Sequence, residues 1–114
     1  GVMYHKYSVL LFADDTSKVE KAIQIAQQEV RERPTAQSYD LLAWSLYKSG
    51  NINKALEIAE NHVIHKTFEP EALLHVATIL KANGKIAEAN KLKTELLESI
   101  YELGPLSEKE IKSI

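Results

Sequence analysis

Ser38 to Pro70, SYDLLAWSLYKSGNINKALEIAENHVIHKTFEP, reads as a helix, a glycine turn and a second helix, and the same order of residues returns one unit later. Sliding the chain by thirty-four residues, 84 minus 50, places Gly50 on Gly84. The same shift carries Ala43 onto Ala77, Leu46 onto Leu80, Ile52 onto Ile86 and Ala55 onto Ala89. Self-similarity at a fixed period marks stacked supersecondary units, none of which can hide its apolar face alone. The fold class that follows is all-α, built from tandem helix-turn-helix units.

The residues at the repeated positions resemble the tetratricopeptide repeat, whose pattern sets a bulky residue, a Leu, a small residue and a Tyr in the first helix. Its second helix carries Ala-x3-aromatic, and a Pro closes the unit. The second unit here offers Tyr39-x2-Leu42-Ala43-x2-Leu46 and then Ala55-x3-Ala59; the third offers Leu73-x2-Val76-Ala77-x2-Leu80 and then Ala89. A more degenerate first copy holds Ala22-x3-Ala26, with Pro34 twelve residues after Ala22. Three positions depart from the pattern: Thr67 stands in place of Pro, Lys93 in place of an aromatic, and Ser17 in place of the turn Gly. The resemblance implies three helix pairs, spanning about residues 3–34, 35–69 and 70–103, in a right-handed superhelix with a capping helix over about 107–114.

Local signals place the helices. Val9, Leu10, Leu11 and Phe12 are consecutive, so the first segment, Tyr4 to Ala13, is apolar on all sides and is expected to be covered on all sides, by a preceding repeat or a partner chain. Ser17 with Glu20 has the form of a capping box for the second helix, in which Val19, Ala22, Ile23, Ala26 and Val30 recur at helical spacing. Thr35 is the expected N-cap of the third helix and Gly50 its left-handed stop. Asn51 is the expected cap of the fourth, which carries Ile52, Ala55, Leu56, Ala59 and Val63 inward and loses definition around His65 to Glu69. Pro70 suits the first turn of a fifth helix ending at Asn83-Gly84, a sixth runs from about Lys85 to Glu102, and Ser107 with Glu110 opens a last short one.

Composition excludes more than it selects. With 14 Lys and Arg against 16 Asp and Glu, a formal charge of −2 offers no general attraction to nucleic acid or anionic membrane. No apolar run approaches the ~18 residues that span a bilayer, so direct membrane insertion is not expected. There is no cysteine, hence no disulfide or thiol chemistry. The opening Gly1-Val2-Met3 suggests a fragment of a longer protein. The compartment is unspecified.

The resemblance also implies a concave wall made by successive first helices. The groove positions it points to are Gln37, Asp40, Trp44, Tyr47 and Lys48 in the second unit and Glu71, Leu74, His75, Thr78 and Lys81 in the third, with Tyr4, Tyr7 and Leu11 extending them in the first. Trp and Tyr combine contact area with a polar handle and dominate binding hot spots. Trp44 has a structural alternative, packing between first helices against Leu11 and Leu74. Where family members clamp a peptide carboxylate with cations, this chain places Tyr7, Leu11, Leu41, Glu71 and His75, so no chaperone-tail binding is expected.

Other chemistry is weakly signalled. His62 and His65, at i and i+3, would offer two metal ligands from one helical face, too few for a structural zinc; no metal or cofactor is expected, and His5 and His75 stand isolated. No nucleophile with its base, no shared pair of carboxylates and no glycine-rich loop appears, so an enzyme is not expected. The expected function is a non-enzymatic scaffold that receives a partner peptide or helix on the concave face. The alternative is a purely structural end of a longer array that packs on neighbouring repeats or self-associates through the apolar first helix.

Overall fold

The computed structural model describes residues 2–99, with side chains from 8 to 98. Within them the chain forms six α-helices and no strand: α1 Val2–Ala13, α2 Val19–Glu32, α3 Ala36–Lys48, α4 Ile52–Ile58, α5 Pro70–Ala82 and α6 Ile86–Ser99. A π-helical turn, Ala59–Val63, continues α4. No helix among the described residues is long and apolar enough to cross a membrane. The closing helix expected over 107–114, and the end of the sixth helix at Glu102, lie outside the described residues.

The glycine stops are equivalent in detail. Gly50 has φ +96° and Gly84 φ +80°, a region open to glycine at little cost. After α3 the Asn51 amide donates to the Leu46 carbonyl and the Gly50 amide to Tyr47 (2.9 and 3.0 Å); after α5 Lys85 donates to Leu80 and Gly84 to Lys81 (3.0 and 3.1 Å). This pair of bonds, six-to-one and five-to-two, is the Schellman termination, made twice by residues thirty-four apart.

Helix starts divide into those with the expected local chemistry and two, α2 and α4, whose expected side-chain caps do not form. Thr35 Oγ1 accepts from the Ser38 amide at 3.1 Å, as an N-cap should. Pro70 occupies the first turn of α5. The capping box expected from Ser17 and Glu20 does not form. Instead α2 begins at Val19 with Lys18 before it and no side-chain cap, because Ser17 gives both its amide (2.9 Å) and its hydroxyl (2.7 Å) to Asp15 Oδ1. Asn51 precedes α4 as expected, yet its side chain makes no capping bond.

Packing follows the alternation of first and second helices. α1 lies against α2 and α3, α3 against α2, α4 and α5, and α5 against α4 and α6. Small residues let these axes approach: Ala22, Ala26, Ala43, Ala55, Ala59, Ala77 and Ala89 are all buried. Leu41, Leu42, Ala43, Ser45 and Leu46 of α3, and Val76, Ala77, Ile79 and Leu80 of α5, are buried almost consecutively, the mark of helices covered on more than one side. Among the side chains described in α1, Val9 is fully buried and Leu10 and Phe12 pack on the core, while Leu11 is 71 % exposed, so the expected covering on all sides does not hold at Leu11. One charge was hidden from a reading of periodicity: Glu29 is buried, and Arg33 Nη1 donates to both its carboxylate oxygens at 3.3 Å.

Polar contacts bridge neighbouring units. Asn83 Nδ2 donates to the Ile52 carbonyl at the start of α4 (3.0 Å) and to Ile79 in its own helix (2.9 Å). Lys85 pairs with Glu60 at 3.3 Å, and Lys48 with Asp14 at 3.5 Å.

Candidate functional site

The positions expected to line a groove fall on two adjacent helices. In α3, Gln37, Asp40, Trp44, Tyr47 and Lys48 recur at spacings of three and four, which places them along one stripe; Glu71, Leu74, His75, Thr78 and Lys81 do the same in α5. α3 and α5 pack directly on each other, so the two stripes share a seam. Gln37, Lys48, Glu71 and Lys81 are exposed, whereas Trp44, Tyr47, Leu74 and Thr78 are half-buried. The side chains of Tyr4 and Tyr7 lie outside those described.

Asp40 and His75 differ from their neighbours. They are only 6 % and 8 % exposed, and His75 Nδ1 lies 3.0 and 3.1 Å from the two carboxylate oxygens of Asp40. One proton must sit between them: with Asp40 ionised, His75 Nδ1–H donates to it. Burial raises the Asp40 carboxyl above its usual 3.8, and the hydrogen bond from His75 pulls the other way without cancelling it. The expectation that His75 is isolated is therefore corrected. Its partner is thirty-five residues away, and only the packing of α3 on α5 brings the two together.

Trp44 roofs this pair. Its indole stacks on the His75 ring with centroids 4.1 Å apart and planes 16° from parallel, and on Tyr47 at 5.0 Å and 28°. Lys48 Nζ stands 5.6 Å from the Trp44 ring and also pairs with Asp14, beyond α1. The ring partners of Trp44 are His75 and Tyr47, and Trp44 also packs partly buried against the core, as the structural alternative expects; of the two packing partners named for it, Leu11 is largely exposed and Leu74 half-buried. The result is one continuous chain, Asp14–Lys48–Trp44–His75–Asp40, that runs through all three units.

Chemically, a buried Asp–His pair orients an imidazole. In an acyl-transfer site the far nitrogen of such a ring would activate a hydroxyl or thiol. Among the described residues the ring is bonded to Asp40 and stacked on Trp44, with no hydroxyl joined to it. What the arrangement can do is hold an aromatic plate at a fixed angle with one part open to solvent.

The two histidines of the fourth helix do not share a face. The π turn ends at Val63, Ile64 is extended, and His65 takes φ +64°, so the i, i+3 geometry assumed for them is lost. His62 lies flat on Tyr39 instead, 3.8 Å between centroids and 9° between planes. Consecutive β-branched Val63 and Ile64 favour that exit from the helix. No group of three or more metal-ligating side chains occurs among the described residues.

No family model, no curated protein and no solved structure matches this chain.

Proposed function

We propose that this chain is a non-enzymatic protein-interaction scaffold of the tetratricopeptide type, with three helix pairs in a right-handed superhelix, receiving a partner peptide or helix along the wall of α1, α3 and α5. The repeat of thirty-four residues supports that architecture, and so do the two identical Schellman turns and the packing of each first helix on the next. The observation that carries the functional reading is the fixed, half-exposed Trp44. Its indole is held by His75, His75 is held by buried Asp40, and Tyr47 and Lys48 flank it. A pre-oriented aromatic loses little side-chain entropy on binding, which is what a hot spot needs.

The test compares proteins captured by the immobilised wild-type chain and by a Trp44→Ala, Tyr47→Ala variant with matching helical circular dichroism. The variant is expected to lose specific partners of the wild type. Retention of every one of them would remove the reading. The second reading, a structural end of a longer array, draws on the exposed Leu11 of α1. It predicts that the chain self-associates, and a strictly monomeric species in analytical ultracentrifugation counts against it.

A further inference from the structure

A second surface lies where the fourth helix stops short. Moved back by thirty-four residues, α6 (86–99) would span 52 to 65, yet helical bonding in the second unit ends in the π turn at Val63. Its closing bond runs from the Ile64 amide to the Ala59 carbonyl, five residues back, at 2.9 Å. Ile64 then turns extended and His65 left-handed, an uncommon conformation for a residue with a side chain. π turns and non-glycine residues at positive φ both cluster at functional places. Here they border a half-enclosed groove of about 420 Å³ between the π turn, the loop to α5, α5 and α6.

The groove is lined by apolar and acidic side chains together. Ile64, Leu73 and Leu92 form its apolar lining, and Phe68 stands beside them 92 % exposed. A phenyl ring turned to water alone is unremarkable on a protein surface, but one at the edge of an apolar trough extends that trough. Glu60, Glu88 and Glu95 line it too, beside one lysine, Lys91, and the imidazole of His65. Lys85 satisfies part of this charge, 3.3 Å from Glu60 and 4.0 Å from Glu88; it does not reach Glu95 within ion-pair distance. None of the Trp44 strip residues lines this groove.

We infer that this groove is a second docking site, and that its occupant is an amphipathic segment of another protein carrying an apolar ridge flanked by Lys or Arg. The ridge fills the trough beside the π turn and covers Phe68, in the helix-in-groove manner. The flanking cations meet Glu95, which Lys85 does not reach, and share Glu60 and Glu88 with Lys85, which sets orientation and disfavours acidic helices of equal apolarity.

The probe is a fluorescein-labelled peptide of about 14 residues, ~4 helical turns, with Leu at i, i+3, i+4 and i+7 and Lys elsewhere, titrated with the full chain by anisotropy. A counterpart with Glu for Lys serves as control. The Lys peptide is expected to bind, the Glu peptide to bind at least about tenfold more weakly, and Phe68→Ala and the pair Glu88→Gln, Glu95→Gln each to weaken the Lys peptide by about tenfold. Trp44→Ala should leave this binding unchanged, which separates this site from the strip. Equal binding of both peptides, indifference to the groove variants, or loss in Trp44→Ala alone each overturns the proposal. A photo-crosslinker in place of Phe68 decides the occupant: capture of the Lys peptide supports it, whereas a crosslink to residues 100–114 of the same chain or to a second copy overturns it.

Discussion

Asp40 shows how a single residue's meaning depends on what is placed opposite it. An aspartate on a helix stripe is ordinarily a solvated charge; here it is buried, bonded to His75, and its carboxyl is raised above 3.8 by desolvation. The linkage follows from the sign. A carboxyl raised in the folded state holds its proton more tightly folded than unfolded, so its stabilising contribution is fully present below 3.8 and is lost as pH rises through the raised folded value. Asp40→Asn cannot ionise and keeps a side chain able to bond His75. Its stability relative to wild type, from urea unfolding at a series of pH values, is therefore expected to improve from strongly acidic to neutral pH. A constant difference, or one of opposite sign, would show that the desolvation argument fails. His75→Ala removes the partner and one stacking face of Trp44, leaving a buried carboxyl without its bond; a loss of about 1–3 kcal/mol is expected in the same assay. None of this was legible in the sequence, although a clue existed. The repeat shift puts Asp40 on Leu74, one position from His75.

At the scale of the element, helix ends were readable where one nearby residue decides them and unreadable where two compete. Thr35, Gly50, Pro70 and Gly84 act as their chemistry predicts. Ser17 does not, because Asp15 two residues earlier captures it in an exposed turn. The two threonine and serine positions therefore separate in a stability measurement. Thr35→Ala is expected to cost about 1 kcal/mol through loss of the cap. Ser17→Ala, at an exposed site with no capping bond, should stay within about 0.5 kcal/mol. An equal loss at both positions would restore the capping box. The end of the fourth helix belongs to this scale too. The blurred signal around His65 to Glu69 corresponds to a real departure from helix, but that the exit passes through a π turn, and that His62 and His65 thereby part company, could not be read from their spacing.

For the whole molecule, the governing fact is that α3 and α5 are covered from several sides at once, so that no helix pair keeps its apolar residues to itself. Ile79, fully buried on α5, is the residue for testing this. Truncation to Ala is expected to cost about 2–5 kcal/mol by loss of burial and creation of a cavity. Because the units share their core, the lowered transition should be the same whether followed by Trp44 fluorescence in α3 or by total helicity in the far ultraviolet. Two separated transitions would mean that the units unfold independently, as loosely coupled repeats do.

By itself the sequence determined the helical class, the thirty-four-residue period, the glycine stops and most of the inward alanines and aliphatics, since these rest on spacing and on the conformational preferences of single residues. Tertiary structure alone decided which distant groups meet and which are covered: the Asp40–His75 bond, the stacking of Trp44 on that histidine, the burial of Glu29, and the groove beside Phe68. The physical reason is that periodicity records how often a residue faces inward, whereas a hydrogen bond or a stacked ring depends on where the neighbouring helix stands to within about an ångström.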